Sequence, residues 1–401
     1  MKNSRIVLFL LLIVTLITTG CWDRRELNDL AIVLGWGMDL NKDGTFTSSA
    51  QIVVPAKLGA SGGGGKGSTS AGQGYFLESA TGKTATETSQ NMQNKLSRMI
   101  FASHRRVIAF GEDLARDGIA KIADEFSRNP EVRIRTDLFV VRESTAQEFL
   151  SVPYPLENIP ALAPLKILER ISGRASSSYK QFLIDANAEG SNATLPILEI
   201  IHSSTKGDSG QVPPKTIRIR GRAIFNNKLQ MIGSLTSSEV RNYYWVRGEL
   251  KRNTLTVYIP EGKGFISFVG RKYKSKIKPS LKGDKIKFNI YLSGKGVIRE
   301  NNTNLDLKNP SHLKAVERAL NRDAQKKVTQ TISRIQKDYR ADIFGLGNAF
   351  HRKYPVYWKT IKANWEKEFA AADVKVTADL NVDQVGSTGP PLHLMESEIK
   401  K

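Results

Sequence analysis

Residue types that do chemistry are sparse in this chain. Among its 401 residues one is a cysteine, Cys21, and five are histidines: His104, His202, His312, His351 and His393. A single thiol excludes an internal disulfide framework. No two histidines stand at ligand spacing and none has a partner cysteine, so a metal site has no support. Gly82-Lys83-Thr84 could open a phosphate-binding loop, but the spacing requires a glycine five residues before Gly82, and Leu77 stands there. A strand-to-helix turn accounts for those three residues. Gly207-Asp208-Ser209-Gly210 has the composition of a serine-protease nucleophile loop, yet it lies in a polar stretch without a matching upstream histidine motif and reads as linker. Paired carboxylates fall among basic neighbours on helical faces, as surface charge does. No catalytic set emerges, so the enzyme classes, a cell-wall hydrolase among them, find no footing.

Two features remain, and the first is Cys21. Lys2 and Arg5 precede an apolar run over residues 6–17. Its length suits the apolar region of a secretory signal and falls short of the roughly 20 residues that cross a bilayer. Thr18, Thr19 and Gly20 then lead into the cysteine, and the charged Asp23-Arg24-Arg25-Glu26 follows at once. The arrangement resembles the bacterial lipoprotein signal, in which the cysteine receives a diacylglycerol thioether and becomes the first residue of the mature chain. Residues 1–20 are then the signal peptide. Two acyl chains suffice for stable attachment. The alternative is an uncleaved N-terminal anchor, and under either reading the chain is tethered to a membrane.

The second feature is a basic hairpin. Lys272, Lys274, Lys276 and Lys278 alternate along one strand, and Lys285 and Lys287 follow on the returning strand. A side-chain period of two puts each set on one face. Such a face is either a solvated sheet surface that lysines guard against edge pairing, or a contact for anionic lipid headgroups or an acidic partner. The formal charge of +21 favours anionic partners. For an exported, tethered chain the anionic leaflet is the better candidate, and no nucleic-acid partner is expected.

The elements that must position these residues divide at residues 203–215, a polar, glycine-containing stretch closed by Pro213 and Pro214. Before it, residues 21–202 alternate strand and helix patterns and read as an α+β or α/β domain. Helices are expected at residues 84–99 and 112–127 and a strand at 132–141; residues 56–74, rich in glycine and serine, read as a flexible loop. After it, residues 216–385 form a second α+β region, with a further split near 262, and residues 386–401 a loose tail. Arg218, Arg220 and Arg222 alternate with apolar residues on the first strand of that region. From Pro310 an apolar stripe recurs through Leu313, Val316, Leu320, Ala324, Val328, Ile332, Ile335, Tyr339 and Ile343. The stripe predicts a helix of about 33 residues, roughly 50 Å long. A further helix from Pro355 turns Trp358, Ile361, Trp365 and Phe369 inward, as core.

Several stretches together resemble one family. They are the opening Gly20-Cys21-Trp22-Asp23-Arg24-Arg25-Glu26-Leu27 with Gly35-Trp36-Gly37 and Asp39 nearby, residues 221–239 (GRAIFNNKLQMIGSLTSSE), and residues 336–365 with Asp342-Ile343-Phe344-Gly345 and the Pro355, Trp358, Trp365 spacing. On these the chain is similar to the Ger(x)C family, the C subunits of bacterial spore germinant receptors. The resemblance covers nearly the whole mature chain. It implies a lipoprotein on the outer leaflet of the inner spore membrane, non-catalytic, assembled with integral-membrane A and B subunits in a receptor that triggers germination. It also implies three α+β domains, each a mostly antiparallel sheet surrounded by helices. Of the functional residues only Cys21 carries over with a chemical role. The competing expectation is a lipid-anchored solute-binding protein that captures the germinant itself, but the paired repeats of a two-lobed binding protein are not found.

Overall fold

The computed structural model describes residues 26–55, 74–202 apart from 155 and 173, and 215–400 apart from 387–390 and 392. Cys21, the polar stretch 203–214 and most of the glycine-rich segment, 56–73, lie outside the described residues.

The strand patterns assemble into two sheets among the described residues. The larger holds β1 (Leu30–Leu40), β2 (Phe46–Val53), β3 (Tyr75–Gly82), β4 (Met99–Phe101), β5 (Val107–Gly111), β6 (Asp137–Arg142), β7 (Thr194–His202), β8 (Lys215–Phe225) and β9 (Met231–Thr236). Its order is β3-β2-β1-β5-β6-β7-β8-β9, with β4 alongside the start of β1. β1, β5, β6 and β7 run parallel, and antiparallel hairpins flank them on both sides. Parallel strands need both faces covered, which explains why their sequences are nearly all apolar. On β5, Ile108 and Phe110 face one core while Val107 and Ala109 face another. Close packing on the second face is set by Gly35 and Gly37. A Cβ at Gly35 would meet Ala161 at 2.6 Å and one at Gly37 would meet Ala146 at 3.0 Å.

The smaller sheet is β10 (Arg252–Ile259), β11 (Gly264–Lys282), β12 (Lys285–Asn301) and β13 (Asp373–Gln384), in that order. Ile266, Phe268, Phe288, Ile290, Leu292 and Leu380 turn inward against the long helix Pro310–Asp338, which presents Val316, Leu320, Val328, Ile332 and Ile335. Ile224 and Leu235, from β8 and β9 of the larger sheet, belong to this same core.

The α+β class stands, with differences in its partition. Two sheets form where three were expected, and the larger one mixes parallel with antiparallel pairing. Residues 203–215 do not separate two sheets: β7 and β8 on either side pair antiparallel from Thr194↔Ile224 to His202↔Lys215, with one register shift between Ile197 and Leu198. A connection between paired strands has the same glycine, proline and polar composition as a linker between domains. The split near 262 falls on a 3₁₀ turn between β10 and β11, which pair from Arg252↔Arg271 to Ile259↔Gly264. The long helix ends at Asp338, short of the expected 33 residues, because Arg340 takes a left-handed φ of 52° and the N–H groups of Tyr339 and Arg340 both donate to Ile335 O. The helix expected at 84–99 closes at Gln93, and Met99 already belongs to β4. The strand expected at 132–141 begins only at Asp137; Arg133, Ile134 and Arg135 lie in the turn before it. Downstream of Pro355 the single helix becomes two, Pro355–Ile361 and Trp365–Ala371, joined by a 3₁₀ turn.

Candidate functional site

The lipidation candidate Cys21 lies outside the described residues, but the chain's entry is fixed. Glu26 is the first described residue, and Leu27–Asp29 turns into β1. β1 is an interior strand, held by β2 on one side and by β4 and β5 on the other.

The lysine hairpin is β11–β12. Register shifts between Arg271 and Lys274, where Lys272 takes a left-handed φ of 57°. This bulge swaps the parity of β11: Ile266 and Phe268 point inward before it, Tyr273 after it. Lys274, Lys276 and Lys278 consequently stand exposed on the outer face, as do Lys272 and Lys285. Lys287 is half-buried and bonded to Asp373 at 2.8 Å, while Lys278 lies over the Tyr291 ring at 5.0 Å. β10 covers β11 only as far as Arg271, so the stretch carrying the alternating lysines has no strand on its outer side. Polar contacts tie that stretch to neighbouring elements instead. Trp245 Nε1 donates to Lys274 O at 3.3 Å, Lys353 Nζ donates to Pro279 O at 2.7 Å, and Ser275 Oγ donates to Val246 O at 2.6 Å. This is the placement that edge protection requires.

The most densely bonded carboxylate is Asp342, in the Asp342-Ile343-Phe344-Gly345 stretch. It is buried, and its oxygens accept backbone N–H bonds from Phe344, Gly345, Leu346 and Gly347 at 2.6–3.1 Å, with Trp365 Nε1 at 3.3 Å. Burial pushes this carboxyl above its ordinary value, against the pull of those donors. The donors are the free N–H groups opening the helix Leu346–Lys353, so the aspartate serves as its cap. Gly190, with φ 74°, packs on Trp358 and Trp365 from the larger-sheet side, and Asn192 N–H donates to Asp342 O at 2.9 Å. Trp358 and Trp365 are core residues, as expected.

Arg222 was legible only as one of three alternating surface arginines, yet it is 1% exposed. It donates to Thr194 Oγ1 at 2.6 Å, to the Tyr244 hydroxyl at 3.0 Å and to Ser176 O, with the Tyr243 ring 5.1 Å away. The consecutive apolar residues Ala223, Ile224 and Phe225 after it were the available signal, since they break strict alternation; in the structure Gly221 to Phe225 are all buried. Beside it Arg247 bonds Asp185 at 3.2 Å and Glu249 at 2.9 Å. These bonds tie the helix Ser237–Val246 to β7 and to the helix Tyr179–Asn187, and none of these residues is arranged as acid, base and nucleophile around a cleft.

Arg105 is also buried. Its guanidinium lies 5.2 Å from the Trp36 ring and 5.5 Å from the Phe126 ring, and its Nε and Nη2 have no hydrogen-bond partner among the described residues. Burial pulls it down to about 10, with Glu125 and Glu131 acting the other way. Among the described residues no cluster of three His, Cys, Asp or Glu could hold a metal, and no helix is long and apolar enough to cross a membrane.

Comparison with known proteins supplies what this geometry cannot. Residues 23–200 match the family model for the spore germination protein N-terminal domain, and residues 220–386 match the model described as spore germination B3/GerAC like, C-terminal. YfkR of Bacillus subtilis is 29% identical over 96% of this chain and 98% of its own. Spore germination protein KC of the same organism is 25% identical over 98% of each chain. Spore germination protein GerQC of Bacillus cereus is 25% identical over 96% of this chain and 99% of its own. The crystal structure of the GerBC protein superposes with a TM-score of 0.54 at 18% identity, covering 87% of this chain and 97% of that one, which shows a shared fold. With both halves matched by their models and the relatives aligned nearly end to end, the chain belongs to the Ger(x)C family of spore germination proteins.

Proposed function

We propose that this chain is a non-catalytic, lipid-anchored C subunit of a nutrient germinant receptor. A diacylglycerol thioether on Cys21 holds it on the outer leaflet of the inner spore membrane, and it acts through contact with integral-membrane A and B subunits. The observation that carries the reading is end-to-end similarity to proteins named for spore germination, joined to an apolar run that closes on Gly20-Cys21. The buried polar groups described above cap helices and join elements, an arrangement that suits a role by contact.

Cys21→Ala tests the anchor. The variant is expected to lose lipid labelling and to leave the membrane fraction, and germination in response to nutrient to fall with it. Full membrane retention and assembly without the lipid would overturn the anchor as what positions the protein. Calorimetry with candidate nutrients separates contact from capture, because micromolar binding by this chain alone would favour germinant capture instead.

A further inference from the structure

Strand direction gives the larger sheet two unlike ends. β1, β5 and β6 run parallel, so their N-terminal ends lie toward one edge. The described chain enters at that edge, through Glu26 and Leu30, and Leu30 stands opposite Met99 at the start of β4. The loop leading into β5 carries His104, Arg105 and Arg106, and the turn leading into β6 carries Arg133, Ile134 and Arg135. Lys180 joins them, its backbone N–H donating to Ile134 O at 2.9 Å.

Arg98, Arg106, Arg133, Arg135 and Lys180 are exposed, and none makes a salt bridge among the described residues. Arg106, Arg133 and Arg135, with Ser103 and His104, line a cavity of about 570 Å³ that Arg105 also borders. The carboxylate on that cavity, Asp137, is engaged by Ser177 at 2.5 Å; Glu131 lies instead on a separate pocket with Arg105 and Trp36. Two large apolar side chains flank the cations in the open, Met99 at 43% exposure and Ile134 at 54%. Unpaired arginines beside exposed apolar residues combine phosphate recognition with insertion between headgroups.

We propose that this N-terminal edge of the larger sheet, and not the lysine hairpin, is the face that rests on anionic phospholipid. Its arginines take headgroup phosphates in bidentate contacts, while Met99 and Ile134 enter the interfacial layer. The proposal deepens the anchored reading and rests on it. Five peptide steps separate Cys21 from Glu26, so a lipid on Cys21 holds this edge within about 18 Å of the bilayer. The lysine hairpin has no such tie to the point of entry, and its placement already answers to edge protection.

The test uses the full lipidated chain reconstituted in vesicles. Since Cys21 is the one native cysteine, Met99→Cys, Ile134→Cys and Lys276→Cys each create a single labelling position on an exposed side chain. Polarity-sensitive probes at 99 and 134 are expected to be quenched several-fold more by brominated phosphatidylglycerol than a probe at 276. Arg133→Glu with Arg135→Glu should remove that difference while the vesicles still carry the protein. Probes at 99 and 134 that stay in water would overturn the proposal, as would equal quenching in pure phosphatidylcholine. Shielding that requires co-reconstituted integral-membrane proteins would assign the edge to protein contact and also overturn it. The mass of the N-terminal peptide reads lipidation separately. A chain lacking diacylglycerol and held by residues 6–17 would overturn the Cys21 reading alone and leave the probe comparison intact.

Discussion

At the scale of single residues, buried charge is spent on holding backbone. Asp342 accepts four backbone N–H groups and the Trp365 indole. In Asp342→Asn one of those oxygens becomes an NH₂ facing N–H donors, and a buried donor without an acceptor costs about 1–3 kcal/mol. Denaturant unfolding should show a loss near the upper end of that range. Glu239 gives a test by pH. Burial alone would raise its carboxyl, but the Thr236 N–H and the Arg334 guanidinium, at 2.5 and 2.8 Å, hold it below its ordinary value of 4.5. A carboxyl held low stabilises the fold above its unfolded value, and that stability is lost as pH falls through the folded one. Melting temperatures measured downward from 4.5 should fall more steeply for the native chain than for Glu239→Gln. Parallel curves would remove this pair from the acid sensitivity.

At the scale of elements, the bulge at Arg271–Lys274 and the lysines after it belong together. The bulge turns the lysines outward on the part of β11 that has no outer strand, where an apolar surface would recruit another chain. Lys274→Ile with Lys276→Ile should therefore self-associate, seen as a concentration-dependent shift in sedimentation, with little change in the fold. A monomer at all concentrations would withdraw the edge-protection reading. Periodicity made most of these elements legible. Residues 285–292, 313–335 and 373–382 show their inward faces in the sequence because burial repeats at the period of the backbone. Capping was legible too: the Thr-x-x-Glu spacing of Thr236 and Glu239 is that of a capping box, and the two form one. Interruptions were not. Gly118, at φ 128°, breaks the helix expected over 112–127, and the fate of Arg133–Arg135 depended on where β6 finds its neighbours, which no local pattern records.

At the scale of the whole molecule, the two halves recognised by separate family models share one sheet and, through Ala223, Phe225 and Met231 packed among residues of the first half, a core. β8 and β9 pair with the larger sheet while Ile224 and Leu235 pack with the smaller one. A protease site inserted within residues 203–214 and cut should leave both fragments co-eluting until denaturant is added, because the nine-residue β7–β8 ladder and the common core remain. Fragments that separate in native buffer would restore two independent domains. That long-range pairing was beyond the sequence, whereas the tether candidate at Cys21 was visible from it. Taken together they have a mechanical consequence. A pull from Cys21 enters along β1, whose hydrogen bonds to neighbours on both sides lie across the direction of the load. The ladders then resist in shear, all at once, where an edge strand would peel bond by bond. Under the proposed anchor, drag on the tether should therefore load the larger sheet as a unit and not strand by strand.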